Sequence, residues 1–117
     1  MRVHHTKSVA LRLSYDRAFN LCIESLGSLE KCKIQNEDRS KGQLVARTDM
    51  TWRTWGDVIS FEIRRSNGDG IHIDVSSRPA VGTTLVDFGQ NLENVKKITD
   101  FLNAWSGETP YTARGQL

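Results

Sequence analysis

The chain has 117 residues, 38% of them hydrophobic and 26% charged, with a formal net charge of +2. That length holds one domain and excludes eightfold βα barrels and full dinucleotide-binding folds, which need roughly 200 residues or more. Charge is mixed throughout, with +3 on residues 1–58 and −1 on the remainder, which speaks against a dedicated nucleic-acid binder, and no apolar run approaches the roughly 20 residues of a membrane span.

From Ser8 to Ser14, Val9, Leu11 and Leu13 alternate with Ser8, Ala10 and Arg12, the period of a half-buried strand. Tyr15, Ala18, Phe19, Cys22, Ile23 and Leu26 then form one apolar stripe on a helix. Ser14 is its expected N-cap, Asp16 suits its first turn, and Gly27 is expected to end it in the left-handed conformation. Four strands are predicted next, over residues 30–38, 43–53, 57–65 and 71–78. They are separated by Ser40-Lys41-Gly42, Thr54-Trp55-Gly56 and Asn67-Gly68-Asp69-Gly70, which are turn chemistry. One face of these strands is apolar, through Leu44, Ala46, Met50, Ile59, Phe61, Ile63, Ile71, Ile73 and Val75. The other carries Arg47, Asp49, Glu62, Arg64, His72, Asp74 and Arg78, so the sheet is expected to be antiparallel, wet on one side and covered on the other. After residues 79–86, Asp87-Phe88-Gly89-Gln90 has the form of a capping box. Leu92, Val95, Ile98, Leu102 and Trp105 follow at helical spacing, giving a long C-terminal helix.

The order β-α-β-β-β-β-α predicts a two-layer α+β domain over residues 1–106, its curved antiparallel sheet packed on the C-terminal helix. Residues 107–117 lack periodicity and are expected to form a disordered tail. The opening residues have no apolar core of signal-peptide length, so a cytoplasmic protein is expected. Cys22 and Cys32 match no disulfide, zinc or redox spacing and read as small buried hydrophobes.

The element order, together with Trp52-Arg53-Thr54-Trp55-Gly56-Asp57, Ser76-Ser77-Arg78-Pro79 and Asp87-Phe88-Gly89-Gln90-Asn91, resembles a set of small, mostly uncharacterised bacterial domains. It is also similar to a reduced member of the helix-grip group, the START-like lipid-transfer and pollen-allergen domains. That resemblance spans roughly residues 9–105 and implies a sheet gripping the C-terminal helix, often around an apolar ligand. The chain lacks the extra strands and second short helix of full-size members, which implies a small cavity or none.

The candidate binding mouth comprises Trp52, Trp55, Ser77, Arg78, Thr83, Thr84 and Asp87, expected at one end of the sheet. Two indoles supply apolar area with a hydrogen-bonding handle, while Arg78 and the threonines suit a carboxylate or phosphate. The same residues also read as turn and packing elements, with Arg78 paired to Asp57 or Asp87 and the indoles sealing the core. His4 and His5 are neighbours on a strand and point to opposite faces, so no metal site is expected, and no cofactor motif is present. Neither the serines nor the cysteines lie in a nucleophile context, so no enzyme is expected. Stacking of nucleic-acid bases on the wet face would need aromatic residues that it lacks. Open sheet edges leave homodimer or other protein association in play, although Lys31 and Lys33 oppose edge pairing. The leading expectation is a module for a small apolar or amphipathic ligand held between sheet and C-terminal helix. Its rival is a structural or protein-interaction domain with a filled core.

Overall fold

A computed structural model describes residues 4–49, 56–68, 70–80 and 89–105. Its elements are β1 (His5–Leu11), α1 (Tyr15–Ser25), a single 3₁₀ turn (Leu26–Ser28), β2 (Cys32–Asp38), β3 (Gln43–Thr48), β4 (Asp57–Arg65), β5 (Ile71–Pro79) and α2 (Gln90–Ala104). The strands form one sheet in the order β1-β5-β4-β3-β2, antiparallel at every pairing. The chain therefore leaves β1 at one edge, crosses to β2 at the other through α1, and returns by hairpins until β5 pairs with β1. This is the expected α+β arrangement, with both helices on one face: α2 lies across β1 and β5, and α1 lies against β4 and α2.

Strand alternation sets the two faces. Leu44, Ala46, Ile59, Phe61, Ile63, Ile71, Ile73 and Val75 point inward and are buried, together with Phe19 and Cys22 of α1 and Val95, Ile98 and Leu102 of α2. Each large apolar side chain buried in this way contributes about 1.5–3 kcal/mol. On the outer face, Asp74 accepts from Ser8 at 2.6 Å and from Arg64 at 3.0 Å, and lies 2.9 Å from His72 Nε2. The Ser8 hydroxyl first, then Arg64 and His72, hold Asp74 below the usual carboxylate range against the opposing effect of partial burial.

Turn chemistry decides the hairpins. Gly42, at φ +67°, closes the β2–β3 turn, and a Cβ there would meet the Ile63 carbonyl oxygen at 1.9 Å. Gly56, at φ +93°, brings the chain into β4, where a Cβ would lie 2.4 Å from the Thr48 carbonyl oxygen. Only glycine fits either place.

The structure corrects several local expectations. β1 begins at His5 rather than Ser8, because His5, Thr6 and Lys7 pair with Ser77, Ser76 and Val75 although they carry no apolar period. β2 begins at Cys32 and shifts register between Ile34 and Asn36, a bulge that blurs its alternation. Ser14 caps α1 as expected, accepting from Arg17 N at 3.2 Å. The helix end differs: it closes through the 3₁₀ turn, with Leu29 N donating to Leu26 O at 3.1 Å, and the left-handed residue nearby is Lys31, at φ 52°, rather than Gly27. α2 begins at Gln90 with Gly89 as N-cap, so Gln90 occupies the first helical position and cannot complete a capping box. Leu92, expected in the core, is 45% exposed, and Trp105 at the end of the expected stripe is 55% exposed, while Asn91 and Asn94 are buried. The expected continuation of the third strand to Arg53 and the tail at 107–117 lie outside the described residues.

Candidate functional site

β3 ends, β4 begins, β5 ends and α2 begins at one end of the sheet, so the connections 49–56 and 80–89 both leave from and return to that end. The backbone there is stitched by Asp57 N donating to Thr48 Oγ1 at 2.8 Å and Ala80 N donating to Gly56 O at 2.9 Å.

Inside this end, the register pairs Ile59 with Ser77 and Asp57 with Pro79, which makes Asp57 and Ser77 diagonal neighbours on the inner face. Asn91 and Asn94, three residues apart on α2, face them. Ser77 Oγ donates to Asn91 Oδ1 at 2.6 Å, and Asn94 Nδ2 donates to Asp57 Oδ2 at 2.9 Å and to Ser77 Oγ at 3.2 Å. Gln90 Nε2 completes the network by donating to Asn94 Oδ1 at 2.8 Å. Asp57, Ser77, Asn91 and Asn94 are all buried. A polar group taken out of water without a partner costs roughly 1–3 kcal/mol, so a four-residue cluster here is tolerated because its members bond one another.

Of the two candidate residues that are described, Ser77 and Arg78, the structure brings Ser77 into this cluster. Arg78 is exposed on the opposite face beside Val58, as strand alternation requires, and makes no ion pair among the described residues. Its expected pairing with Asp57 is therefore replaced by the bond from Asn94. Trp52, Trp55, Thr84 and Asp87 lie outside the described residues, as does Thr83. Sequence reasoning missed Asn91 and Asn94, although their spacing was legible. At 100° per residue, Asn91 lies about 20° from the direction of Ile98, whereas Leu92 lies about 120° away. The apolar criterion chose Leu92, and the helical period would have chosen Asn91.

The cluster offers amide and hydroxyl groups for orienting a polar ligand group and no paired nucleophile and base. Ser77 Oγ donates to an amide oxygen, which does not activate it. Among the described residues, no three His, Cys, Asp or Glu side chains converge as metal ligands would. Nor is any helix there long and apolar enough to cross a membrane.

No protein-family model matches the sequence, and no curated protein matches it. Solved structures do resemble it. An uncharacterised protein from Bacillus thuringiensis superposes with a TM-score of 0.60 at 12% identity, over 89% of this chain and 96% of that one. The Zhui aromatase/cyclase from a Streptomyces species gives 0.58 at 12% identity, over 85% and 90%. A START superfamily protein from Mycobacterium smegmatis gives 0.53 at 11% identity, over 86% and 97%. These likenesses establish the fold as the START-like helix grip, as the sequence motifs implied.

Proposed function

We propose that the domain is a non-enzymatic binding module that takes a small amphipathic ligand at the polar end of its helix grip. The observation that carries this reading is the gradient along the inward stripe of α2, from Asn91 and Asn94 at the start to Val95, Ile98 and Leu102 beyond. A START-like fold often houses an apolar ligand between its sheet and C-terminal helix. Here Ile59, Ile73, Val75, Val95, Ile98 and Leu102 are all 0% exposed, so no water-sized space adjoins these side chains and a deep apolar ligand has no room among them. The polar end supports a shallower ligand, whose polar group takes hydrogen bonds from Ser77, Asn91 and Asn94 by displacing part of the bonding that closes them against one another. Trp52, Trp55, Thr84 and Asp87 fall in sequence between the ends of β3 and β4 and of β5 and α2, and in this reading they supply apolar cover and further polar contacts.

A second reading, a structural or protein-interaction domain without ligand, is favoured by the same filled core and by the mutual bonding of the polar cluster. Native mass spectrometry of the freshly purified protein, compared with its denatured mass, separates the two. An excess of a few hundred daltons per chain, lost on denaturation, is the result expected of a bound small molecule. A bare chain mass that stays bare after incubation with a lipid extract would sink the binding reading, and a bare dimer would direct attention to the sheet edges.

A further inference from the structure

At the end of the sheet opposite the Ser77 cluster, two open clefts adjoin. One, of about 600 Å³, is lined by Tyr15, Asp16, Arg39, Lys41, Arg64 and Arg65, among others. The second, of about 510 Å³, includes Arg12, and both are lined by Tyr15 and Arg65. Among the described lining residues, five cations accompany a single carboxylate, that of Asp16.

Two of these cations have structural partners. Arg39 lies 4.4 Å over the Phe19 ring and pairs with Asp16 at 3.5 Å and Glu37 at 3.8 Å, and Arg64 pairs with Asp74 at 3.0 Å. Arg12, Lys41 and Arg65 form no ion pair among the described residues, although Lys41 attracts the exposed Asp38 carboxylate electrostatically. The Arg65 guanidinium lies 4.5 Å over the Tyr15 ring, a contact that holds it between the two clefts. Gathering like charges costs free energy that a bound anion returns, and a guanidinium fork matches phosphate oxygens.

We propose that the joined clefts bind a phosphate-bearing anion, with Arg65 shared between two charged groups of the ligand. Lys41 on one side and Arg12 on the other favour a diphosphate over a single carboxylate, because each cleft holds a cation of its own outside any ion pair beside the shared one.

The test is calorimetric titration of inorganic pyrophosphate into the full chain at low ionic strength. The expected result is saturable binding, weaker for inorganic phosphate, and reduced about tenfold or more by Arg65→Gln or Arg12→Gln. Lys97→Gln, which removes a surface cation lining neither cleft, should change affinity by less than about twofold. Arg65→Lys keeps the charge without the fork and should fall between. Circular dichroism checks each variant, and Lys41→Gln with Arg12→Gln carries the test if loss of the Tyr15 stacking unfolds the Arg65 variants. Cosedimentation with phosphatidic acid vesicles, but not phosphatidylcholine vesicles, would assign the phosphate to a lipid headgroup. Pyrophosphate binding without cosedimentation would assign it to a free ligand. Absence of saturable binding, or equal weakening by Lys97→Gln and Arg65→Gln, would overturn the proposal, the latter by showing diffuse attraction only.

Discussion

Replacing Asn94 with leucine removes both amide donors of the side chain while roughly keeping its length and branching. In the native domain those donors reach Asp57 Oδ2 at 2.9 Å and Ser77 Oγ at 3.2 Å, and the amide oxygen accepts from Gln90 at 2.8 Å. Asn94 and Asp57 are each 2% exposed and Ser77 is fully buried, so water does not replace what is lost. A buried polar group deprived of a partner costs about 1–3 kcal/mol, and two acceptors lose a donor here. Leucine's apolar surface and helix propensity return part of this, leaving a net loss of about 3 kcal/mol. With an unfolding entropy of about 2.1 cal/mol/K per residue, that loss lowers the thermal midpoint of a 117-residue chain by roughly 12 °C. Urea unfolding followed by circular dichroism gives the difference directly, and a cycle with Ser77→Ala should show a coupling of about 1 kcal/mol between the two sites. A loss below about 1 kcal/mol, with no coupling to Ser77, would refute the claim that this cluster fastens α2 to the sheet.

Gly56→Ala should destabilise by about 2–3 kcal/mol, since it combines a positive φ with a Cβ 2.4 Å from the Thr48 carbonyl oxygen; an unchanged melting midpoint would contradict that geometry. Asp74 is held below its ordinary value of 3.8, chiefly by the Ser8 hydroxyl, so its contribution to stability is present above about pH 4 and is lost as pH falls through the lowered value. Wild type should accordingly exceed Asp74→Asn in stability near neutral pH and converge with it in strong acid, as measured by urea midpoints across pH. The Cys22 thiol is pushed up to about 12 by burial, whereas Cys32 is half-buried and raised less far. A thiol reagent near pH 8 should therefore modify Cys32 slowly in the folded protein and Cys22 only on unfolding, which peptide mass mapping would resolve.

The fold type was legible because each layer announces itself by a period. Alternation in Ile59, Phe61 and Ile63 and again in Ile71, Ile73 and Val75 fixed two strands and their inward face, and the β4 limits matched at Asp57 and Arg65. Ser14 marked the start of α1 because a hydroxyl before a helical stripe has a specific amide to accept. Legibility failed where residues follow the geometry but not the polarity. His5 and Thr6 belong to β1 through their pairing with β5, and no apolar alternation announces that pairing.

The site divides in the same way. Sequence placed Ser77 and Arg78 together because they are adjacent, and the pleat of β5 sent them to opposite faces. It passed over Asn91 and Asn94 because an asparagine on a helix reads as surface unless its partners are known. Those partners, Asp57 and Ser77, come from strands 37 and 14 residues away in the chain, joined to α2 only when the sheet closes on it. The same holds for the cationic clefts, where Arg12, Lys41 and Arg65 are scattered through a nearly neutral sequence and gathered by three strand ends. Local periods and caps are properties of short segments, so the sequence by itself determined the elements and the side of each that is buried. Burial of a polar side chain and concentration of charge depend on which distant segments meet, and that was decided by the order in which the strands pair.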